Sequence, residues 1–167
     1  MTDTQVHEAL VRWLSQQTDI AVIKAHQSGE RPREPYLMVW LETCREVRDH
    51  PQSIEYMETS ELNSEGEQEV TAHPIIEMEW DFSIYSFGEN PMQALRRVVS
   101  LIPLAQRQEP LFPDLVIHDT GPITYEPEKV QTDWEPRAKI NLQIRGLVRD
   151  GAVIDVIEHA SVSASRA

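Results

Sequence analysis

Cysteine is almost absent from this chain: Cys44 stands alone, which excludes an internal disulfide framework and a multi-cysteine zinc site. The expectation for it is a small core residue in a reducing compartment. Glycine is scarce too, and the six present do not build a phosphate-binding loop. Gly146 and Gly151 have its spacing, but Ala152 and Val153 follow where a lysine and a hydroxyl residue must hold phosphate and magnesium. Ser86-Phe87-Gly88 supplies only one of the glycines that flank a serine nucleophile elbow. No run approaches the roughly 20 apolar residues that span a bilayer. Polar residues interrupt Met1 to Leu14 where a signal peptide is unbroken, so the expectation is a chain made and used in a cytosol, without membrane contact. Positive charge is also short, with 15 basic residues against 28 acidic and a net charge of −13. Such a chain has no general attraction for phosphate backbones or anionic membranes.

Catalytic patterns are missing as well. The six histidines lie too far apart for a paired-imidazole zinc motif. A nuclease reading starts from Pro113-Asp114 ahead of an apolar strand and needs a carboxylate two residues before a lysine. Pro127 and Arg137 occupy those places before Lys129 and Lys139. Glu77, Glu79 and Asp81 could converge on magnesium from one strand face, but a solvated or salt-bridged face is the more ordinary use of such residues. No metal or cofactor is expected.

What the sequence does carry is alternation. From Ile75 to Ser86 the residues Ile76, Met78, Trp80, Phe82 and Ile84 point one way and Glu77, Glu79, Asp81 and Ser83 the other. Between Trp134 and Val148 the residues Ala138, Ile140, Leu142 and Ile144 face Arg137, Lys139, Asn141, Gln143 and Arg145 in the same manner. Two long strands with one apolar face each predict an antiparallel sheet with a single core side. Helical spacing of Val6, Ala9, Leu10, Trp13 and Leu14 predicts a helix over about 4–17, capped at Asp3 or Thr4. Asn90-Pro91 opens a second over Met92 to Ile102, which Pro103 ends or kinks. Short strands are expected at Ile20–Ala25 and Tyr36–Glu42, paired as a hairpin, and at Leu115–Asp119. An irregular connector runs from Gly121 to Glu135. Asp150-Gly151 predicts a tight hairpin turn into Ala152–His159. Residues 45–72 read as a long polar excursion or loop, and 161–167 as a loose terminus. The fold class is α+β: a mainly antiparallel sheet flanked by two helices, in a single domain over 1–167.

The order of these elements, with Arg31-Pro32-Arg33-Glu34-Pro35-Tyr36-Leu37 entering the second strand, resembles the tail terminator, or neck terminator, family of long-tailed bacteriophages. Tyr85-Ser86-Phe87-Gly88 closing the long strand before Asn90-Pro91, and Trp134-Glu135-Pro136-Arg137-Ala138 opening the late one, carry the rest of the likeness. It covers roughly Val6 to Val148, departs at the acidic excursion and after Ala160, and rests on structural motifs.

The resemblance implies a structural virion protein and not an enzyme. Its partners would be further copies of itself in a ring, usually of six, then the tail tube protein and the head-completion or neck proteins. The ring would cap the tube, stop its polymerisation and join tail to head in the virion, after assembly in the host cytoplasm. DNA would pass through its lumen without specific binding, since carboxylates repel phosphates. Within such a ring Glu77, Glu79 and Asp81 are subunit-interface candidates facing Arg137, Lys139 or Arg145 of the next copy. Pairing of the same charges across strands of one subunit is the bland alternative. Asp49, Glu58, Glu61 and Glu65 in the excursion are candidates for contact with tube, sheath or neck partners. Two other readings stay open: a head-to-tail adaptor or other neck ring, and a metal-dependent nuclease or hydrolase centred on Glu77 or Asp114.

Overall fold

The computed structural model describes residues 1–62, 68–108, 111 and 115–154. Helix α1 (Asp3–Thr18) begins where Thr2 and Gln5 cap each other's backbone amides, and ends at Asp19 in the left-handed conformation. Its stripe of Val6, Leu10, Trp13 and Leu14 is fully buried. Strands β1 (Ala21–Lys24), β2 (Tyr36–Glu46), β3 (Ser53–Leu62) and β4 (Gln68–Phe87) follow, then α2 (Pro91–Leu101) and a short α3 (Ala105–Gln108). Strands β5 (Leu115–Thr120), β6 (Thr124–Tyr125), β7 (Glu128–Val130), β8 (Asp133–Glu135), β9 (Arg137–Arg149) and β10 (Ala152–Ile154) complete the described chain. The main sheet runs β1-β2-β4-β9-β5, with β3 and β10 on β4 and β6 on β9; β7 and β8 make a separate hairpin.

Strand β4 organises the molecule. Its twenty residues extend about 65 Å at ~3.3 Å per residue, whereas the sixteen of α1 reach only about 24 Å at 1.5 Å each. Helices therefore roof one half of it. Over that half Trp80, Phe82 and Ile84 meet Leu37 and Val39 of β2, Ile140, Leu142 and Ile144 of β9, and Leu95 and Val98 of α2 in one core. Trp80 also donates its indole N–H to Asp3 at 2.8 Å, and Trp13 donates to the Arg107 carbonyl at 2.5 Å. The first bond ties α1 to the sheet and the second ties α1 to α3, each satisfying a buried indole N–H that would otherwise lose its water.

Beyond the roof β4 continues between two other strands. At Ala72 it is flanked by Tyr56 of β3 on one edge and Ala152 of β10 on the other. Strand β3 prolongs the line of β2 and β10 that of β9, because both members of each pair run antiparallel to β4 along the same edge. Pro74 sits where this costs least. Ile75 and Glu77 turn their carbonyls to Gln52 and Val47, so the alternate residue, Pro74, presents its missing N–H to the other edge. There β9 has ended at Arg149 and β10 has not begun.

Several expectations need correction. Apart from 63–67, which lie outside the described residues, the stretch 45–72 contains the end of β2, the strand β3 and the start of β4 where a long loop was expected. Its acidic composition conceals a ladder whose faces are both wet, so burial alternation gives no signal. Strands β1 and β2 pair in parallel, from Ala21 beside Tyr36 to Lys24 beside Val39, not as a hairpin; the connector Ala25–Pro35 is long enough to bring the chain back. Asp150-Gly151 makes no turn, since β10 continues along β4. The His73 ring lies over Gly151, where a Cβ would collide with it. Cys44 is exposed, on the core side of β2 but beside the first residue of α1, where its thiol donates to Asp3 at 3.8 Å. The connector before Glu135 contains β6, β7 and β8. Residues 155–167, with the expected loose terminus, lie outside the described residues.

Trp80→Ala, which removes a fully buried ring, is expected to lower stability by about 3–5 kcal/mol. Trp80→Phe keeps most of the packing, loses the bond to Asp3, and should cost about 1 kcal/mol. Urea denaturation of both variants checks the order.

Candidate interaction surfaces

The face of the sheet opposite the helices is a set of charged rows. Register places Arg45, Glu79 and Arg145 in one row, Thr43, Asp81 and Gln143 in the next, and Ser83 beside Asn141 after that. Glu79 is only 1% exposed and lies between two guanidinium groups, Arg145 Nε at 2.8 Å and Arg45 on the other side. Burial alone would raise its carboxyl, but hydrogen bonds from Arg145 and Arg45 outweigh that and hold it below the ordinary glutamate value of 4.5. Lys139 pairs with Glu42 at 3.2 Å, and Ser83 also donates to Glu42. Burial pulls the Lys139 ammonium down, yet its bond to Glu42 leaves it raised. Arg137 meets Glu128 at 2.6 Å and lies over the Tyr85 ring.

One end of this face is closed by the entry sequence of β2. Tyr36 and Phe87 stack with ring centroids 4.5 Å apart. The Arg31 guanidinium lies over both rings at 5.3 and 5.0 Å while bonding Tyr36 and Glu135. Arg31 therefore clasps the β7–β8 hairpin to the sheet. Gly88, just past Phe87, has φ of +119°, a backbone that L side chains rarely adopt, and a Cβ there would stand 3.2 Å from that of Pro35.

Each of the six interface candidates thus has a partner in its own chain. Glu79 and Arg145 meet each other; Glu77 pairs with Arg48 at 3.2 Å, and Asp81 accepts from Thr43 at 2.9 Å. Arg137 and Lys139 are paired as above. The sequence reading missed Glu42, Arg45 and Arg48, because it ended β2 at Glu42 and placed Arg45 in a loop. Longer alternation through Thr43–Glu46 was the available signal. Among the described residues no three histidine, cysteine or acidic side chains converge as a metal site. Asp114 lies outside the described residues, as does Glu65.

The second surface is the arm made by β3, the first half of β4, and β10. Directly paired residues share a face, so Ile54, Tyr56, Ala72, Pro74, Ala152 and Ile154 form an apolar stripe on the helix side, past the end of the roof. Tyr56 and Leu62 are 63% and 62% exposed. Glu58 and Glu61 are exposed on β3 and Asp49 in the turn before it; Glu55 meets Arg149 across the opposite face at 3.6 Å.

A family model described as phage neck terminator protein matches residues 4–165. No curated protein matches the sequence. Among solved structures, a chain titled sheath/tube terminator in extended state, from an extracellular contractile injection system, aligns with a TM-score of 0.48 at 13% identity. The alignment covers 100% of the present chain and 66% of that one.

Removal of the buried carboxylate tests the charged rows. Glu79→Gln leaves two guanidinium groups without their counter-ion; as Arg45 is largely exposed, the expected loss is about 1–3 kcal/mol at neutral pH. Because the folded-state value of Glu79 is depressed, its stabilising contribution is complete above pH 4.5 and falls away as the pH drops through the folded value. The variant's unfolding curve should therefore converge on the wild type in acid. A constant gap between the two from pH 7 to pH 3 would contradict this assignment.

Proposed function

Because the chain belongs to the phage neck terminator family, a structural and non-enzymatic class, we propose that this tail-terminating virion protein acts as a closed ring of six subunits. The ring sits on the finished tail tube, ends its polymerisation, and offers its other side to the head-completion proteins of the neck. It is put together in the host cytoplasm before the tail meets the head. The observation that carries the reading is the family match over residues 4–165, which spans both the helix-roofed body and the arm.

Two features support assembly from many copies. The outer edge of β3 pairs with no strand among the described residues, and the arm exposes apolar side chains that a monomer in water would hide. The net charge of −13 supports a third part of the proposal. Carboxylates lining the bore repel phosphates within a Debye length of about 8 Å, so DNA passes without being held.

Negative-stain images of the purified protein should show six-fold rings. Phage assembled without the protein should carry tails of uncontrolled length and no heads. A gel-shift titration at physiological salt should leave double-stranded DNA unbound. Monomers at all concentrations, or tails of normal length without the protein, would sink the proposal.

A further inference from the structure

An arm that projects past its own helices presents an apolar stripe that its own chain cannot cover. Strand β4 is held by β3 along the arm and by β10 as well over 70–72, so the ladder keeps the stripe extended away from α1 and α2. A contiguous apolar face bordered by charge marks a protein contact. The charge is also one-sided: β3 and the first half of β4 carry Glu55, Glu58, Glu61, Glu69 and Glu77 and no lysine or arginine among the described residues, and only Glu55 and Glu77 find a cation, Arg149 and Arg48, beside the arm.

The complementary surface lies elsewhere on the same polypeptide. From Pro91 to Gln108, across α2 and α3, there are three arginines, Arg96, Arg97 and Arg107, and no carboxylate. All three are exposed, and Leu104 between them is 51% exposed. Arg97 makes one contact with Asp19, at 3.8 Å with both side chains mostly in water, which is worth little. This helical segment is therefore basic with an exposed leucine, although Glu34 and Glu89 line the same cleft as Arg97, and the arm is apolar with acidic residues along it.

We infer that the arm of one subunit docks on the α2–α3 face of a second copy of this chain. Tyr56 and Leu62 pack around Leu104, and Glu58 and Glu61 meet Arg96, Arg97 and Arg107. Arm and helical face are different surfaces, so the contact is head-to-tail and propagates around a circle when its rotation closes. The charges select the partner and set the direction, while the apolar stripe supplies most of the binding. This inference rests on the ring reading and names the surface that closes the ring.

The test is a pair of opposed charge reversals, read by analytical ultracentrifugation with circular dichroism as the check on folding. R96E/R97E has an acidic arm and an acidic helical face; E58K/E61K carries lysines on the arm and keeps the basic helical face unchanged. Each alone should need at least about tenfold more protein to assemble, since like charges then meet across the contact. An equimolar mixture should restore assembly, because every arm then finds an opposite helical face. Tyr56→Ala should also weaken association, and its exposed position should leave the fold intact. Reversal variants that assemble alone as the wild type does would overturn the docking and leave the ring standing. A folded pair whose mixture stays dissociated would overturn it too. A wild-type chain that is monomeric throughout would remove the ring reading together with the inference.

Discussion

The disparity between one long strand and the short helices that pack on it governs this molecule. Twenty residues of β4 form one continuous strand, but α1 and α2 roof only the half around Trp80, Phe82 and Ile84. Over that half burial of the apolar side chains contributes about 2 kcal/mol per large residue. Over the other half the same backbone pairing continues without a roof, so the strands are held mainly by their ladders. A single secondary-structure element thus belongs to a stable body at one end and to an exposed surface at the other.

Charge follows the same division. On the body, the rows opposite the helices are matched: Glu79 with Arg45 and Arg145, Glu42 with Lys139, Glu77 with Arg48. The Glu79 pairs join directly opposed residues of neighbouring strands, so they fix register as well as neutralising one another, while Lys139 reaches Glu42 across β4. The arm has carboxylates in excess, and the α2–α3 segment has arginines without acids. The chain's negative charge is therefore unevenly spread, which bears on what each surface tolerates as a neighbour.

Much of the body was legible because its residues obey a period. The buried stripe of α1, the Asn90-Pro91 start of α2 and the core face of β4 and β9 all follow from spacing, and the family resemblance rested on residues the structure uses. Arg31, Tyr36 and Phe87 are joined in one stack, and Arg137 opens β9. What escaped lies where periodicity carries no information. Strand β3 is wet on both faces, so its alternation of Ile54 and Tyr56 with Glu55 and Met57 was lost among acids. The parallel pairing of β1 depends on where a connector leads, and four residues cannot announce it. Gly151 next to an aspartate has the look of a turn; only the presence of the His73 ring opposite explains a glycine in an extended chain. The charged rows were half legible: their residues were recognised, but their partners on β2 were not, because β2 was ended before the bulge that lets Thr43 to Glu46 rejoin β4.

The two interruptions flanking β4 fall almost level with each other. On one edge β2 has ended and β3 has not begun opposite Ile76 and Glu77; on the other, β9 and β10 are parted opposite His73 and Pro74. The sheet is therefore two strands wide at each gap and three at Ile75 between them, a waist that widens again over 70–72 and from Met78 onward. A ribbon bends where it is narrowest, so deformation is channelled into this waist and away from the hydrophobic body. The packing around Trp80, on the body side of the waist, is thereby left undisturbed.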